Sequence, residues 1–187
     1  MSDKTKWPRA EAIQVAHELI VELAPACERI VIAGSLRRGK AEVGDIELLF
    51  IPRFEDRQFD MFTVAPMNLA EEKIGEMLAN GTLSKRPGKT GVFSWAEKNK
   101  LGIHGASGIA VDLFSTTPEN WFVSLVVRTG SKETNLRLTC GARDRNRTLN
   151  AYGCGTTSLL DGSVEAAHSE QDVFALCGVK YLEPDQR

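Results

Sequence analysis

The stretch GDIELLFIP, residues 44–52, sets the first limit on the fold. Apart from Glu47, everything between Asp45 and Pro52 is apolar, and the run is stopped by a proline. A segment of this length and texture reads as a central strand. Strand side chains alternate, so Asp45 and Glu47 project from one face, about 7 Å apart along the chain. Two carboxylates at that spacing repel unless a cation lies between them, and their hard oxygens suit magnesium. A third acid, Asp112, sits mid-strand in GIAVDLF among Ile109, Val111 and Leu113, where a charge is costly unless compensated. If the two strands are neighbours, three carboxylates converge and can hold two metal ions about 4 Å apart. Spacing alone leaves a second possibility open, in which Asp45 and Glu47 line an exposed strand face and Asp112 ends a strand at the surface.

Immediately upstream, residues 34–44 read GSLRRGKAEVG. Gly34, Gly39 and Lys40 fit the skeleton of a Walker phosphate loop, but position 41 is Ala where that loop needs Ser or Thr for magnesium. A long helix should also begin at the Gly-Lys pair, whereas a strand arrives within five residues. The alternative is a phosphate grip. Glycine lets the backbone approach a phosphate closely, Ser35 adds a hydroxyl donor, and Arg37 and Arg38 add forked donors.

The remaining segments supply an α+β frame. Residues 8–24 put Ala12, Ile13, Ala16, Leu19, Ile20 and Leu23 on one helical face behind Pro8. A short strand is expected at 30–33, an irregular stretch at 53–66, and a helix over 68–81 stopped by Asn80-Gly81. Short strands follow at TLSKR, GVFSWAE, KLGIH and GIAVDLF. After Pro118 the spacing turns helical, in 119–130, 131–145 and 169–178, with Ser169 and Asp172 as a weak capping pair. The expected division is therefore a mixed, twisted sheet with flanking helices over 1–117 and a small, mostly helical part over 118–187.

Charge is unevenly spread. Residues 128–147 carry six Arg and Lys against Glu133 and Asp144, a local +4 within a chain whose formal charge is -2. Such a segment faces a polyanion or is a solvated helix face. The four cysteines form no C-x-x-C pair, the N-terminal stretch MSDKTKWPRAE has no apolar core, and no apolar run is long enough to span a bilayer. These features point to an intracellular, cytoplasmic protein with no membrane partner. His17, His104 and His168 lack ligand spacing and read as structural.

GSLRRGKAEVGDIELLF, the later VDLF, RTGSKETN and the closing LCGVKYLEPDQR together resemble the family X DNA polymerases of the polymerase-beta-like nucleotidyltransferase superfamily. The resemblance implies a nucleotidyltransferase palm over 1–117 and a C-terminal nucleotide-binding subdomain over 118–187. Asp45, Glu47 and Asp112 would be the catalytic carboxylates and the ligands of two Mg2+ ions, with Mn2+ as a substitute. Gly34, Ser35, Arg38 and the backbone at Gly44 would hold the nucleotide's phosphates. Arg128 and Gly130 would lie near its sugar, and Asn135 would reach the base edge. Lys132, Arg137, Lys85 and Lys89 would contact nucleic acid.

The implied reaction adds nucleotides from a nucleoside triphosphate to a primer 3′-hydroxyl, releasing pyrophosphate, in short-gap repair synthesis on primer-template or gapped DNA. A monomer is implied, in a prokaryotic or viral host cell. The length leaves no room for the lyase and helix-hairpin-helix regions of larger members, so a minimal, viral-like polymerase is expected, with strong salt dependence. Three features depart from the family pattern. Val127-Arg128 replaces an aromatic pair that helps exclude a 2′-hydroxyl, Glu47 stands where Asp is usual, and Ala110 stands where a charged residue is frequent. The first keeps an alternative in view, a template-independent nucleotidyltransferase acting on RNA, protein or a small molecule.

Overall fold

The computed structural model describes residues 5–58, 60–88 and 90–187. In chain order the elements are β1 (Trp7–Pro8), α1 (Arg9–Leu23), β2 (Cys27–Ile32), α2 (Gly34–Arg37), β3 (Glu42–Val43), β4 (Ile46–Pro52), β5 (Phe54–Gln58), β6 (Val64–Asn68), α3 (Leu69–Ala79), β7 (Leu83–Lys85), β8 (Trp95–Ala96), β9 (Asn99–His104) and β10 (Ala110–Ser115). They continue with α4 (Trp121–Thr129), α5 (Lys132–Arg143), β11 (Arg147–Leu149), β12 (Gly155–Ser158), β13 (Val164–Ala166) and α6 (Glu170–Leu176). The fold is α+β. Two compact units are formed, one from residues 1–32 and 42–115, the other from 33–41 and 116–187. Against the expected division at 117/118, the second unit begins two residues earlier and also takes in the 33–41 segment.

The first unit is built on a mixed sheet of order β2-β4-β10-β9-β7, with β8 paired to β9. Only β4 and β10 run parallel among these pairings. A parallel pair needs a long crossover, and here the intervening chain holds α3 and two hairpins. β4 is interior, as its apolar run predicts: every residue from Ile46 to Pro52 except Glu47 is buried. α1 buries Ala12, Val15, Ala16, Leu19 and Leu23, the stripe expected of a helix packed on one side. α3 starts on an Asn68 cap that accepts from the Glu71 amide at 3.1 Å, and the chain leaves it at Gly81 with φ 81°. Its Glu71 ion-pairs with Lys100, a buried lysine that also donates to the carbonyls of Ala96 (3.0 Å) and Glu97 (3.2 Å). Those bonds make an interior ammonium tolerable.

One expectation is overturned in this unit. Residues 53–66, read as irregular, form the β5–β6 hairpin, in register from Phe54↔Asn68 to Gln58↔Val64. All of β5 is exposed, so there is no buried face to impose a period of two on the sequence. A bidentate Arg57–Glu72 pair (2.5 and 2.8 Å) ties the hairpin to α3, and the Asp60 carboxylate accepts from the amides of Phe62 and Thr63, both at 2.8 Å.

The second unit packs α4, α5 and α6 around Val123, Val126, Leu138, Ala142, Ala167, Val173, Phe174 and Cys177. The Ser169 hydroxyl caps α6 by accepting from the Asp172 amide at 3.0 Å. The three-stranded antiparallel sheet β11-β12-β13 is an addition to the helical expectation. Its strands are three or four residues long and mostly half-buried or exposed, so they carry no apolar alternation. Gly155 allows the closest approach in it, since a Cβ there would fall 1.9 Å from the Glu165 carbonyl oxygen.

Candidate functional site

In the first unit, the parallel register pairs Val111 with Ile46, Asp112 with Glu47 and Leu113 with Leu48. Ile46, Leu48, Val111 and Leu113 are buried on one face. Glu47 and Asp112 therefore share the opposite, half-buried face, on adjacent strands about 5 Å apart at the backbone. Asp45 is half-buried one residue ahead of β4. On the same face Asp112 is also engaged from the β7 side of its strand: the Arg86 guanidinium ion-pairs with its carboxylate, their side chains 19% and 15% exposed. Arg86 follows β7, and its Nε donates to the Gly102 carbonyl of β9 at 3.1 Å, so its aim is set by the sheet.

Among the described residues, no group of three His, Cys, Asp or Glu side chains is gathered closely enough to hold a metal as it stands. What Glu47 and Asp112 share is a backbone register rather than a finished cage. The donor chemistry nevertheless fits a hard divalent cation, because all three candidates offer anionic oxygens and none offers sulfur or imidazole.

In the second unit, α2 packs against α4. Arg37 donates to the Thr129 hydroxyl at 2.7 Å and, with both terminal nitrogens, to Glu170 at 2.5 and 3.0 Å. Arg38 donates through Nη1 to the Thr129 carbonyl oxygen. Gly130 follows with φ 70°, and a Cβ there would lie 3.0 Å from Arg38 Nη1. The Gly130–Ser131 peptide is cis. Asn135 donates through Nδ2 to the Val127 carbonyl at 2.8 Å, tying the first turn of α5 to the end of α4. Three buried polar atoms in this cluster have no hydrogen-bond partner: Ser35 Oγ, Arg38 Nε and Asn135 Oδ1. Each such atom costs about 1–3 kcal/mol if it stays unmatched, and buried polar groups are almost always matched.

Residues 124–187 match the family model described as DNA polymerase beta thumb. Over that segment the chain is similar to a DNA polymerase thumb. The matched segment runs from within α4 through α5, β11–β13 and α6 to the C-terminal residue, about a third of the chain. No curated protein gives a significant match to the chain. The exposed cations of α5, Lys132 and Arg137, stand within the matched segment.

The other expected residues are distributed as follows. Gly44 belongs with Asp45 in the first unit, whereas Gly34, Ser35, Arg38, Arg128, Gly130 and Asn135 belong to the second. Arg128 lies over the Tyr152 ring at 5.7 Å, and its Nη2 donates to the Tyr152 hydroxyl at 3.1 Å. Lys85 stands over the Trp95 ring at 5.0 Å. Lys89 lies outside the described residues. His104 pairs through Nδ1 with the Ser107 hydroxyl at 2.9 Å, a structural role. All four cysteines are free thiols, and burial, opposed weakly by Arg53 and Arg145 respectively, pushes Cys27 and Cys177 up to about 11, so both are inert at neutral pH. Among the described residues no helix is long and apolar enough to cross a membrane.

Two contributors escaped the sequence. In the sequence Arg86 is only a cation beside Lys85, and strand order alone brings it to Asp112. Tyr152 lies 24 residues beyond Arg128 in a loop, and no local pattern links the two.

Proposed function

We propose that the chain is a DNA nucleotidyltransferase of the palm-and-thumb type, extending a primer 3′-hydroxyl from a nucleoside triphosphate in short-gap synthesis within the cell, as a monomer. The observation that carries the proposal is the parallel register that sets Asp112 beside Glu47 on one half-buried face. The unmatched donors and acceptor of Ser35, Arg38 and Asn135 support it, since a nucleotide offers phosphate oxygens to the first two and a base edge to the third.

Asp45, Glu47 and Asp112 would hold the metal. When bound, a pair of magnesium ions neutralises charge along the triphosphate and acidifies the primer hydroxyl. The carboxylate of Asp112 stands to receive that hydroxyl's proton. The primer oxygen then bonds to the α-phosphorus, the bond from that phosphorus to the bridging oxygen breaks, and pyrophosphate leaves with the electron pair. Ser35 and the Arg38 guanidinium bind and orient the departing phosphates. Gly130 keeps the end of α4 free of a side chain, and Asn135 is held ready for the base edge by its bond to Val127.

Primer extension on gapped and blunt DNA, with a single templating base varied, tests the proposal. Template-matched insertion that disappears in Asp112→Ala is expected. Untemplated tailing would assign the chain to the alternative class of nucleotidyltransferases, a reading that Arg128 in place of an aromatic residue favours. Binding without incorporation in Mg2+ and Mn2+ alike would reduce it to a DNA-binding module.

A further inference from the structure

We infer that Arg86 is a positioning residue for the third carboxylate, fixing the direction in which Asp112 presents its oxygens to a divalent cation. The inference rests on the proposed metal role of Asp112.

Position 110, two residues before Asp112 in β10, is Ala. A charged side chain at this position would stand two residues before Asp112 on the same strand face and reach it directly. Alanine has no such reach. The guanidinium that meets Asp112 comes instead from Arg86, at the end of β7, which pairs with β9 and not with β10. To arrive there the side chain crosses β9 on the face of Leu101, the register partner of Asp112. Gly102 contributes its carbonyl to Arg86 Nε at 3.1 Å, while the Arg86 amide itself donates to the Leu101 carbonyl at 3.0 Å.

Two anchors on β9 therefore fix Arg86 independently of Asp112. Its Nη2 donates to the Asp112 Oδ1 oxygen. The guanidinium is planar and forked, so with Nε committed to Gly102 the direction of Nη2 is set. A carboxylate held by one oxygen from a fixed donor loses rotation about its terminal bond. That is the service an outer partner gives to a metal-ligating carboxylate.

The opposite role is also conceivable for a cation at this place. Arg86 would then be a competitor that occupies Asp112 and is displaced by metal. The two roles predict opposite signs for the same measurement.

The test is Mn2+ binding to the full chain without nucleotide, read by the loss of free-ion electron paramagnetic resonance signal. Asp112→Asn provides the reference for site-specific binding. Arg86→Ala is expected to weaken Asp112-dependent Mn2+ binding about 10- to 100-fold, and Arg86→Lys to recover part of the loss by restoring the charge without the fork. Metal-free melting temperatures, measured in parallel, should not account for the difference. Affinity in Arg86→Ala equal to wild type would overturn the inference, and tighter binding would establish the competitor role in its place. If Arg86→Ala does not fold, Arg86→Gln against Arg86→Lys reads the same quantity, with Lys expected to bind the ion more tightly and equality overturning the idea. Wild-type Mn2+ binding that Asp112→Asn leaves unchanged would instead remove the metal role of Asp112 itself, a failure distinct from equal binding in the Arg86 variants alone.

Discussion

Glu170 joins two arginines that are far apart in the chain, and its removal has a calculable cost. Arg37 grips the carboxylate with both terminal nitrogens, and Arg187 adds a contact to Oε2 at 2.9 Å. The three side chains differ in access to water: Arg37 is 23% exposed, Glu170 12% and Arg187 0%. In Glu170→Ala, Arg37 keeps the Thr129 hydroxyl and turns its remaining donors outward. Arg187 has no such escape. It stays between Phe174 and Tyr181, 4.9 and 5.4 Å from their centroids, with Leu182 O as its remaining acceptor of those named. Stranding a buried charge costs about 3–5 kcal/mol, which predicts that order of loss for the second unit. Because the stranded charge dominates, adding Arg187→Met should return about 2 kcal/mol or more, since buried ion pairs replaced by apolar groups are often neutral. The assay is denaturant unfolding followed by the fluorescence of Trp121, buried in this unit, with Trp7 and Trp95 changed to Phe. A loss below about 1 kcal/mol in Glu170→Ala, or simple additivity of the two changes, would refute the argument. Acid adds a second readout. Burial works to raise the Glu170 carboxyl, but the hydrogen bonds and charge of Arg37, then those of Arg187, outweigh it and hold the group below its ordinary 4.5. The folded state then binds fewer protons than the unfolded one, so this stabilisation is present above pH 4.5 and is lost as pH falls through the folded value. Glu170→Gln should flatten that acid limb.

Further outcomes follow from single contacts. Gly130→Ala places a methyl 3.0 Å from Arg38 Nη1 at a φ of 70°, and should raise KM for the nucleotide more than it lowers stability; unchanged kinetics would remove Gly130 and Arg38 from the nucleotide site. Alanine at Lys132 or Arg137 should each lower the salt slope of DNA binding by about one, measured as log affinity against log salt, with an unchanged slope counting against contact by that residue. With Arg128 bound to Tyr152 in place of an aromatic pair, single-turnover insertion should favour dNTP over rNTP by no more than about 200-fold. A preference of several orders of magnitude would show that another group excludes the 2′-hydroxyl. Gly141→Ala should destabilise the second unit, because its Cβ would fall 2.3 Å from the Cys177 carbonyl oxygen, and an unchanged melting temperature would contradict that packing.

The limits of the sequence follow from the range over which each interaction acts. β4 was legible because burial on both faces writes itself as a continuous apolar run, and the acids stood out as the interruptions. α1, α3 and α5 were legible through stripes and caps that act within one turn. The β5–β6 hairpin and the β11–β13 sheet were not, since exposed strands lack a buried face and their hydrogen bonds leave no mark on side-chain choice. The site divides along the same line. Asp45, Glu47, Ser35 and Arg38 belong to one short stretch and share a motif, whereas Arg86 reaches Asp112 only after β9 has inserted between their strands. That separation has a consequence for Ala110. A partner two residues away on the same strand is fixed by the pleat alone, but a partner from β7 depends on the pairing of β7 with β9 as well as that of β9 with β10. Loosening the β7–β9 edge, for instance by Ser84→Pro, would therefore disturb Asp112 while leaving β10 itself intact, a sensitivity that a same-strand partner would not confer.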